Sequence, residues 1–339
     1  MSDHTHIEWT DATWNPITGC SVISAGCKHC YAMRLAGTRL RHHPSRAGLT
    51  RPTAAGPVWT GDVRLNEDWL DQPLRWKKPR RIFVCAHGDL FHEAVPDAWI
   101  DRVFAVMALA PQHTFQVLTK RPERMLAYQN ASNLMNRIHA AIFNYTTSAG
   151  GATQASLKRA TAWLDTHLPD GGLGGFIRLL PTHNVHLGVS VENQATADER
   201  IPLLLQTPAA VRFISAEPLL GLLNLRLFLP FITRGRGGPV REKGGLDWVI
   251  AGGESGPGAR PSHPDWFRVL RDQCQASGVA FFFKQWGEWL PMMGHVEGVP
   301  VRRQKFRHPD GTIMGCAGKR AAGRLLDGCK GNEFPAVAQ

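Results

Sequence analysis

Residues 246–287 read LDWVIAGGESGPGARPSHPDWFRVLRDQCQASGVAFFFKQWG. Leu246–Ser255 and Val279–Gly287 are apolar runs ending in polar and glycine-rich turns, so each reads as a buried strand. Between them His263–Gly278 reads as a helix that stops near Gly278. The same rhythm extends toward the N-terminus. Strands are expected in Arg81–Asp89, Phe115–Pro122, His186–Asn193 and Val211–Pro218, and helices in Pro96–Ala110 and Glu123–Asn130. His6–Pro16 is a shorter strand candidate stopped by Asn15–Pro16, and Tyr31–Leu40 has helix-forming composition. Strand and helix in alternation predict an α/β fold, a partial TIM barrel of parallel strands with surrounding helices.

Two segments interrupt this order. Residues 131–182 contain helical material, TTSAGGATQ and DGGLGG, and read as a partly helical insertion at a barrel edge. Residues 231–245 read as an exposed loop. The stretch 42–57, rich in His, Arg, Gly and Pro, reads as a loop or small excursion. The whole chain, 1–339, is expected to be one catalytic domain.

Polar residues recur where the expected strands end: Asp89, Lys120–Arg121, Ser190–Glu192–Asn193, Ser215–Glu217, Glu254–Ser255 and Lys284–Gln285. In a barrel of parallel strands these ends meet on one catalytic face. Strand termination and loop solvation explain any one of them, but repetition along the chain favours a shared pocket.

The densest chemical signal is GCSVISAGCKHCY, residues 19–31, in which Cys20, Cys27 and Cys30 have C-x6-C-x2-C spacing. Three thiolates hold three irons of a [4Fe–4S] cluster and leave the fourth open for S-adenosyl-L-methionine. Electron donation into the bound sulfonium then gives a 5′-deoxyadenosyl radical. The alternative is zinc, with His29, His87 or Cys85 as a fourth ligand. Spacing leaves both open.

The chain has 43% hydrophobic and 20% charged residues, the composition of a globular protein. No apolar run approaches the roughly 20 residues needed to cross a bilayer. The start, MSDHTHIEWTD, lacks a basic flank and apolar signal core, so a secretory leader is not expected. Seven cysteines without a disulfide framework suit a reducing cytoplasm. The formal charge of +11 fits either a basic surface or attraction to a nucleotide or nucleic acid.

The blocks IEWTDATWNPITGC (7–20), GCKHCYA (26–32), VLTKRPERM (117–125), GVSVENQ (188–194), ISAEPLLG (214–221), VIAGGESGPGARP (249–261), FFFKQWGEW (281–289) and GKRAAGRLLDG (318–328) resemble the phage Gp37/Gp68-like family of radical-SAM-like proteins. The resemblance implies a radical-SAM-like partial barrel with the cysteines beside the first strand, a [4Fe–4S] cluster, S-adenosyl-L-methionine and an external electron donor. The usual superfamily spacing is C-x3-C-x2-C, so this chain carries a longer first gap, and His29 stands where an aromatic residue is common.

Cofactor-binding candidates are Gly88 and Asp89 for the methionine end, with Glu93 as a neighbour. Ser190, Glu192, Asn193 and Glu217 are candidates for the ribose or methionine groups, and Gly252, Gly253, Glu254 and Ser255 for close approach to the adenosyl moiety. Ser190–Asn193 and Glu217 have a second reading, as groups that satisfy backbone at a helix start. Lys120, Arg121 and Arg260 are candidates for an anionic substrate, Lys284 and Gln285 for polar contact, and Trp286 for stacking. Cys85 and Tyr31 are candidate hydrogen-atom donors. The competing functions are a zinc-stabilised nucleic-acid-binding protein and a barrel kept as an interaction module.

Overall fold

The computed structural model describes residues 5–148, 158, 183–235, 238–241, 244–292, 301 and 304–336. Seven strands form the main parallel sheet: β1 (Ala12–Trp14), β2 (Arg81–Val84), β3 (Thr114–Thr119), β4 (Val185–Ser190), β5 (Val211–Ala216), β6 (Trp248–Gly252) and β7 (Ala280–Gln285). They follow one another in the sheet as they do in the chain, with β1 and β7 at the edges. The α/β class and the partial barrel expected from the sequence are present.

The chain divides into two compact units, Met1–Val22 with Ala32–Gly188 and Gln206–Ala210, and Ile23–Tyr31 with Val189–Leu205 and Val211–Gln339. In the first unit, β1 and β3 flank β2, with Ala12 opposite Ile82 and Val84 opposite Val117. Ile82, Val84, Phe115 and Val117 are fully buried. Helix α1 (Tyr31–Gly37) starts at the residue after Cys30, as expected. Helix α2 (Asp97–Ala108) buries eight of its twelve residues, including every one from Val103 to Ala108, because apolar residues run all round its second half. Helices α3 (Pro122–Gln129) and α4 (Leu134–Ser148) pack against α2. There the Tyr128 hydroxyl donates to Asp101 at 2.7 Å, and Arg137 bonds Asp97 at 2.8 Å.

In the second unit, β6 lies between β5 and β7, with Trp248 opposite Phe213 and Ala280. All five residues of β6 are buried, which is why its sequence is continuously apolar rather than alternating. Trp248 packs on Phe213 and Phe282, and Phe267 of α6 (Pro264–Ala276) meets Phe283 at 5.0 Å. Each such aromatic side chain contributes roughly 1.5–3 kcal/mol by leaving water. Helix α6 ends near Gly278, as expected, and Gly278 follows it in the left-handed conformation at φ 61°.

Three features were not anticipated. Helix α5 (Gln194–Gln206) follows β4, and Pro202 inside it hides the helix from a pattern reading. Within 42–57, Thr50–Arg51 pairs antiparallel with Val58–Trp59. Strands β8 (Trp289–Pro291), β9 (Lys305–Arg307) and β10 (Ile313–Cys316) form a C-terminal antiparallel sheet with β10 in the middle. Of the expected insertion at 131–182, α4 is described, while 149–157 and 159–182 lie outside the described residues. In 231–245, Ile232–Gly235 and Gly238–Arg241 pair antiparallel. Among the described residues no helix is long and apolar enough to cross a membrane.

Candidate functional site

The cysteine segment leaves the carboxyl end of β1, where parallel α/β folds place their chemistry. In the first unit this departure is tightly held. Asn15 accepts the His87 N–H at 2.9 Å, and Gly19 forms a parallel bridge with Gly88. A side chain at Gly19 would meet the Asp62 carbonyl at 2.2 Å, and its φ of +98° suits glycine alone. A β-carbon at Gly88 would lie 2.9 Å from the Ile17 carbonyl, so the two glycines let the loop and the end of β2 touch.

Asp89 is buried, and its carboxylate accepts four bonds: from the N–H groups of Phe91 (3.0 Å) and Lys120 (3.1 Å), the Thr119 hydroxyl (2.7 Å) and Arg121 (3.0 Å). The structure thus fills the acceptor positions proposed for a methionine amino group with internal donors. Arg121 has a side chain only 4% exposed. Its guanidinium donates to Asp89, to Glu93 at 2.8 Å, to the Ser21 hydroxyl at 2.6 Å and to the Cys20 sulfur at 3.6 Å. Burial opposes the charge on Arg121, but Asp89, Cys20 and Glu93 outweigh it and raise its pKa. Arg121 is therefore an internal anchor of this loop rather than an open anion receptor. His92 completes the cluster. Its Nδ1 accepts the Ala94 N–H, so Nε2 carries the proton and donates to Ser21 at 3.1 Å. Burial and then Arg121 lower the His92 pKa, which keeps that tautomer neutral.

Cys85 has a positive φ of 56°, and burial pushes its thiol up to about 12. That places it in the core as an unreactive group.

In the second unit, Ala25–Cys27 forms a single 3₁₀ turn closed by Cys27 N–H on the Ser24 carbonyl. Two carboxylates hold the turn. Glu192, fully buried, accepts the Ser24 hydroxyl at 2.7 Å and bonds Arg200 at 3.3 Å. A β-carbon on Gly26 would lie 2.2 Å from Glu192 Oε1, so the turn sits directly on this carboxylate. Glu254 faces His29 Nδ1 at 3.0 Å and receives the Arg260 backbone N–H and Nε–H, both at 2.8 Å. Arg260 also donates to the Ala25 carbonyl at 3.1 Å. Burial raises the Glu254 pKa, but Arg260 and His29 reverse this and hold it below the ordinary range.

The remaining candidates separate by burial. Asn193 caps α5, its Oδ1 accepting the Thr196 N–H at 3.0 Å, and the Ser190 carbonyl accepts from Arg200 at 2.8 Å. Glu217 pairs with Lys284 at 2.7 Å and accepts the Ser215 hydroxyl at 3.2 Å. Gly252 lies against Glu217 and Gly253 against the Trp286 carbonyl, where a β-carbon would come within 2.9 and 2.0 Å. Gln285 donates to the Gly253 carbonyl at 3.3 Å. Trp286 is 5% exposed, packs on Phe267 and Phe283, and donates its indole N–H to the Leu325 carbonyl. It is a core residue, not an open stacking surface. Ser255 and Lys120 are half-buried. Reasoning from sequence missed Ser24, Gly26 and Arg200, whose roles depend on the long-range partner Glu192.

All seven cysteines are free thiols. Among the described residues no three His, Cys, Asp or Glu side chains are arranged to hold one metal ion. An iron–sulfur cubane does not require that arrangement, because each of its irons takes its own thiolate. The donor set of three free thiols, two half-buried and one buried, fits such a cluster.

A family model described as "Protein of unknown function (DUF5131)" matches residues 4–335. The chain belongs to the DUF5131 family. No curated protein matches this DUF5131 chain. Among solved structures, it is similar to spore photoproduct lyase complexed with dinucleoside spore photoproduct, at 10% identity and a TM-score of 0.31, over 89% of this chain and 66% of that one. A cysteine-to-serine mutant of spore photoproduct lyase is similar at 11% identity and a TM-score of 0.30, over 78% of this chain and 72% of that one. The DUF5131 chain thus spans just under two thirds of the first of these structures.

Proposed function

We propose that this DUF5131 protein is a radical S-adenosylmethionine enzyme whose Cys20, Cys27 and Cys30 hold a [4Fe–4S] cluster. Its reaction is hydrogen-atom abstraction from a nucleotide or nucleic acid. The observation that carries the reading is the placement of three free thiols, within eleven residues, on the loop after the first strand of a parallel partial barrel. The formal charge of +11 supports a polyanionic substrate. Free thiols support a reducing compartment. The resemblance to phage Gp37/Gp68-like proteins belongs to the same reading.

When bound, the cluster supplies an electron to the sulfonium of S-adenosyl-L-methionine, the source of a 5′-deoxyadenosyl radical. The chain's own residues prepare this chemistry. Asp89 and Arg121 fix Cys20, while Glu192 and Glu254 fix the turn bearing Cys27 and Cys30. Gly252 and Gly253 permit the close packing that ends β6, and the half-buried Ser255 beyond them offers its hydroxyl to the adenosyl moiety. The electron comes from an external donor, and Lys120 and Lys284 serve the anionic substrate.

The test is formation of 5′-deoxyadenosine by anaerobically reconstituted protein supplied with S-adenosyl-L-methionine and reductant. Reductant-dependent product, enhanced by the right oligonucleotide, supports the proposal. Folded, iron-loaded protein that never binds S-adenosyl-L-methionine refutes it, and a tightly held zinc ion in place of iron transfers support to a zinc-stabilised nucleic-acid-binding protein.

A further inference from the structure

Arg121 carries more contacts than burying one charge requires. Pairing with Asp89 at 3.0 Å and Glu93 at 2.8 Å already satisfies its charge. Yet NH1, besides reaching Asp89, comes within 3.6 Å of the Cys20 sulfur, a hydrogen-bond distance for so large an acceptor atom. The other terminal nitrogen bonds Ser21, the next residue of the same loop, at 2.6 Å.

The guanidinium cannot drift from this position. Its backbone N–H is bonded to the Thr119 hydroxyl at 2.9 Å, and Thr119 in turn donates to Asp89 at 2.7 Å. Asp89 is held by two further backbone N–H groups. The result is a planar, permanently charged donor, locked on three sides and aimed at one sulfur. With the Arg121 side chain 4% exposed, water screens little of this interaction.

We propose that Arg121 is a positioning residue that donates a charge-assisted hydrogen bond to the Cys20 thiolate and thereby raises the reduction potential of the cluster. This rests on the reading that Cys20 is a cluster ligand. Adding an electron to an iron–sulfur cluster increases negative charge on its sulfurs. A fixed N–H donor stabilises that reduced form more than the oxidised one, and hydrogen bonds to sulfur are one of the protein's established levers on cluster potential. The guanidinium reaches Cys20, whereas the Cys27 sulfur meets the uncharged Ser24 hydroxyl at 3.7 Å, so the irons held by these two thiolates differ electronically.

The experiment is a potentiometric titration of anaerobically reconstituted full-length protein, followed by EPR of the reduced cluster without S-adenosylmethionine. Four proteins are compared: wild type, R121K, R121Q and E93Q. Iron content and circular dichroism establish that each is loaded and folded. R121K keeps the charge but loses the fork, and R121Q loses both. E93Q removes a largely exposed partner and leaves the Asp89 and Cys20 contacts in place.

The expected order of potentials is R121Q below R121K, R121K below wild type, and E93Q at or above wild type, with altered EPR g values in both Arg121 variants. If R121Q fails to fold, a negative shift in R121K against an unshifted E93Q still supports the assignment. Loaded R121K and E93Q with wild-type potentials overturn it while leaving the cluster intact. Wild-type protein that takes up no iron overturns the radical-enzyme reading and this assignment together.

Discussion

Single residues at this site are fixed by what lies behind them. Gly26 is the clearest case, because a β-carbon there would meet Glu192 Oε1 at 2.2 Å, and Glu192 is itself tied to Ser24 and Arg200. Gly26→Ala is expected to cost about 1–3 kcal/mol through overpacking and to lower cluster retention. Urea unfolding and iron content after desalting measure both, and unchanged values of both refute the contact. The three cysteines were legible as a motif because metal ligation depends on residue type and short spacing. The carboxylates were legible only as polar strand ends. Glu192 and Asp89 read as cofactor contacts, whereas the structure shows buried anchors committed to Ser24, Arg200, Thr119 and Arg121. Sequence places such groups at the right end of the sheet but does not reveal which partner saturates them.

At the level of elements, periodicity carried the main sheet. β6 is continuously apolar because both faces are covered, and α6 stops at Gly278 because that residue adopts φ 61°. Helix α5 was illegible because Pro202 mimics a breaker. Its N-terminus is nonetheless strongly marked. Asn193 accepts the Thr196 N–H, and the Thr196 hydroxyl accepts the N–H groups of Glu192 and Asn193. Asn193→Ala should cost about 1 kcal/mol as a lost cap, and Asn193→Asp much less. A fall in Tm for the alanine variant with near-recovery by aspartate is the expected pattern. Equal losses in both variants point to contacts other than the cap. The C-terminal sheet β8–β10 was missed because its strands are three or four residues long and lack a period to read.

For the molecule as a whole, acid stability follows from two histidines kept neutral. Burial, followed for His87 by the Arg46 charge, lowers His87 and His113 to about 4. Free histidine titrates near pH 6.5, so between pH 6.5 and 4 the unfolded chain binds more protons than the folded one. Their contribution is complete above pH 6.5 and is lost as the pH falls toward 4, by roughly 1–3 kcal/mol each. Urea midpoints should fall over that window, above the range where the lowered carboxylates act, and His113→Gln should flatten the slope. Equal midpoints at pH 7 and 4.5 contradict this account. The central claim is more directly tested by anaerobic reconstitution, with iron and sulfide analysis and EPR of the reduced protein before and after adding S-adenosylmethionine. The account predicts about four iron and four sulfide per chain, an EPR signal that changes on adding S-adenosylmethionine, and loss of both when Cys20, Cys27 or Cys30 is replaced by alanine. A well-folded wild-type protein that binds one zinc and no iron, or whose cluster survives loss of Cys20, contradicts it.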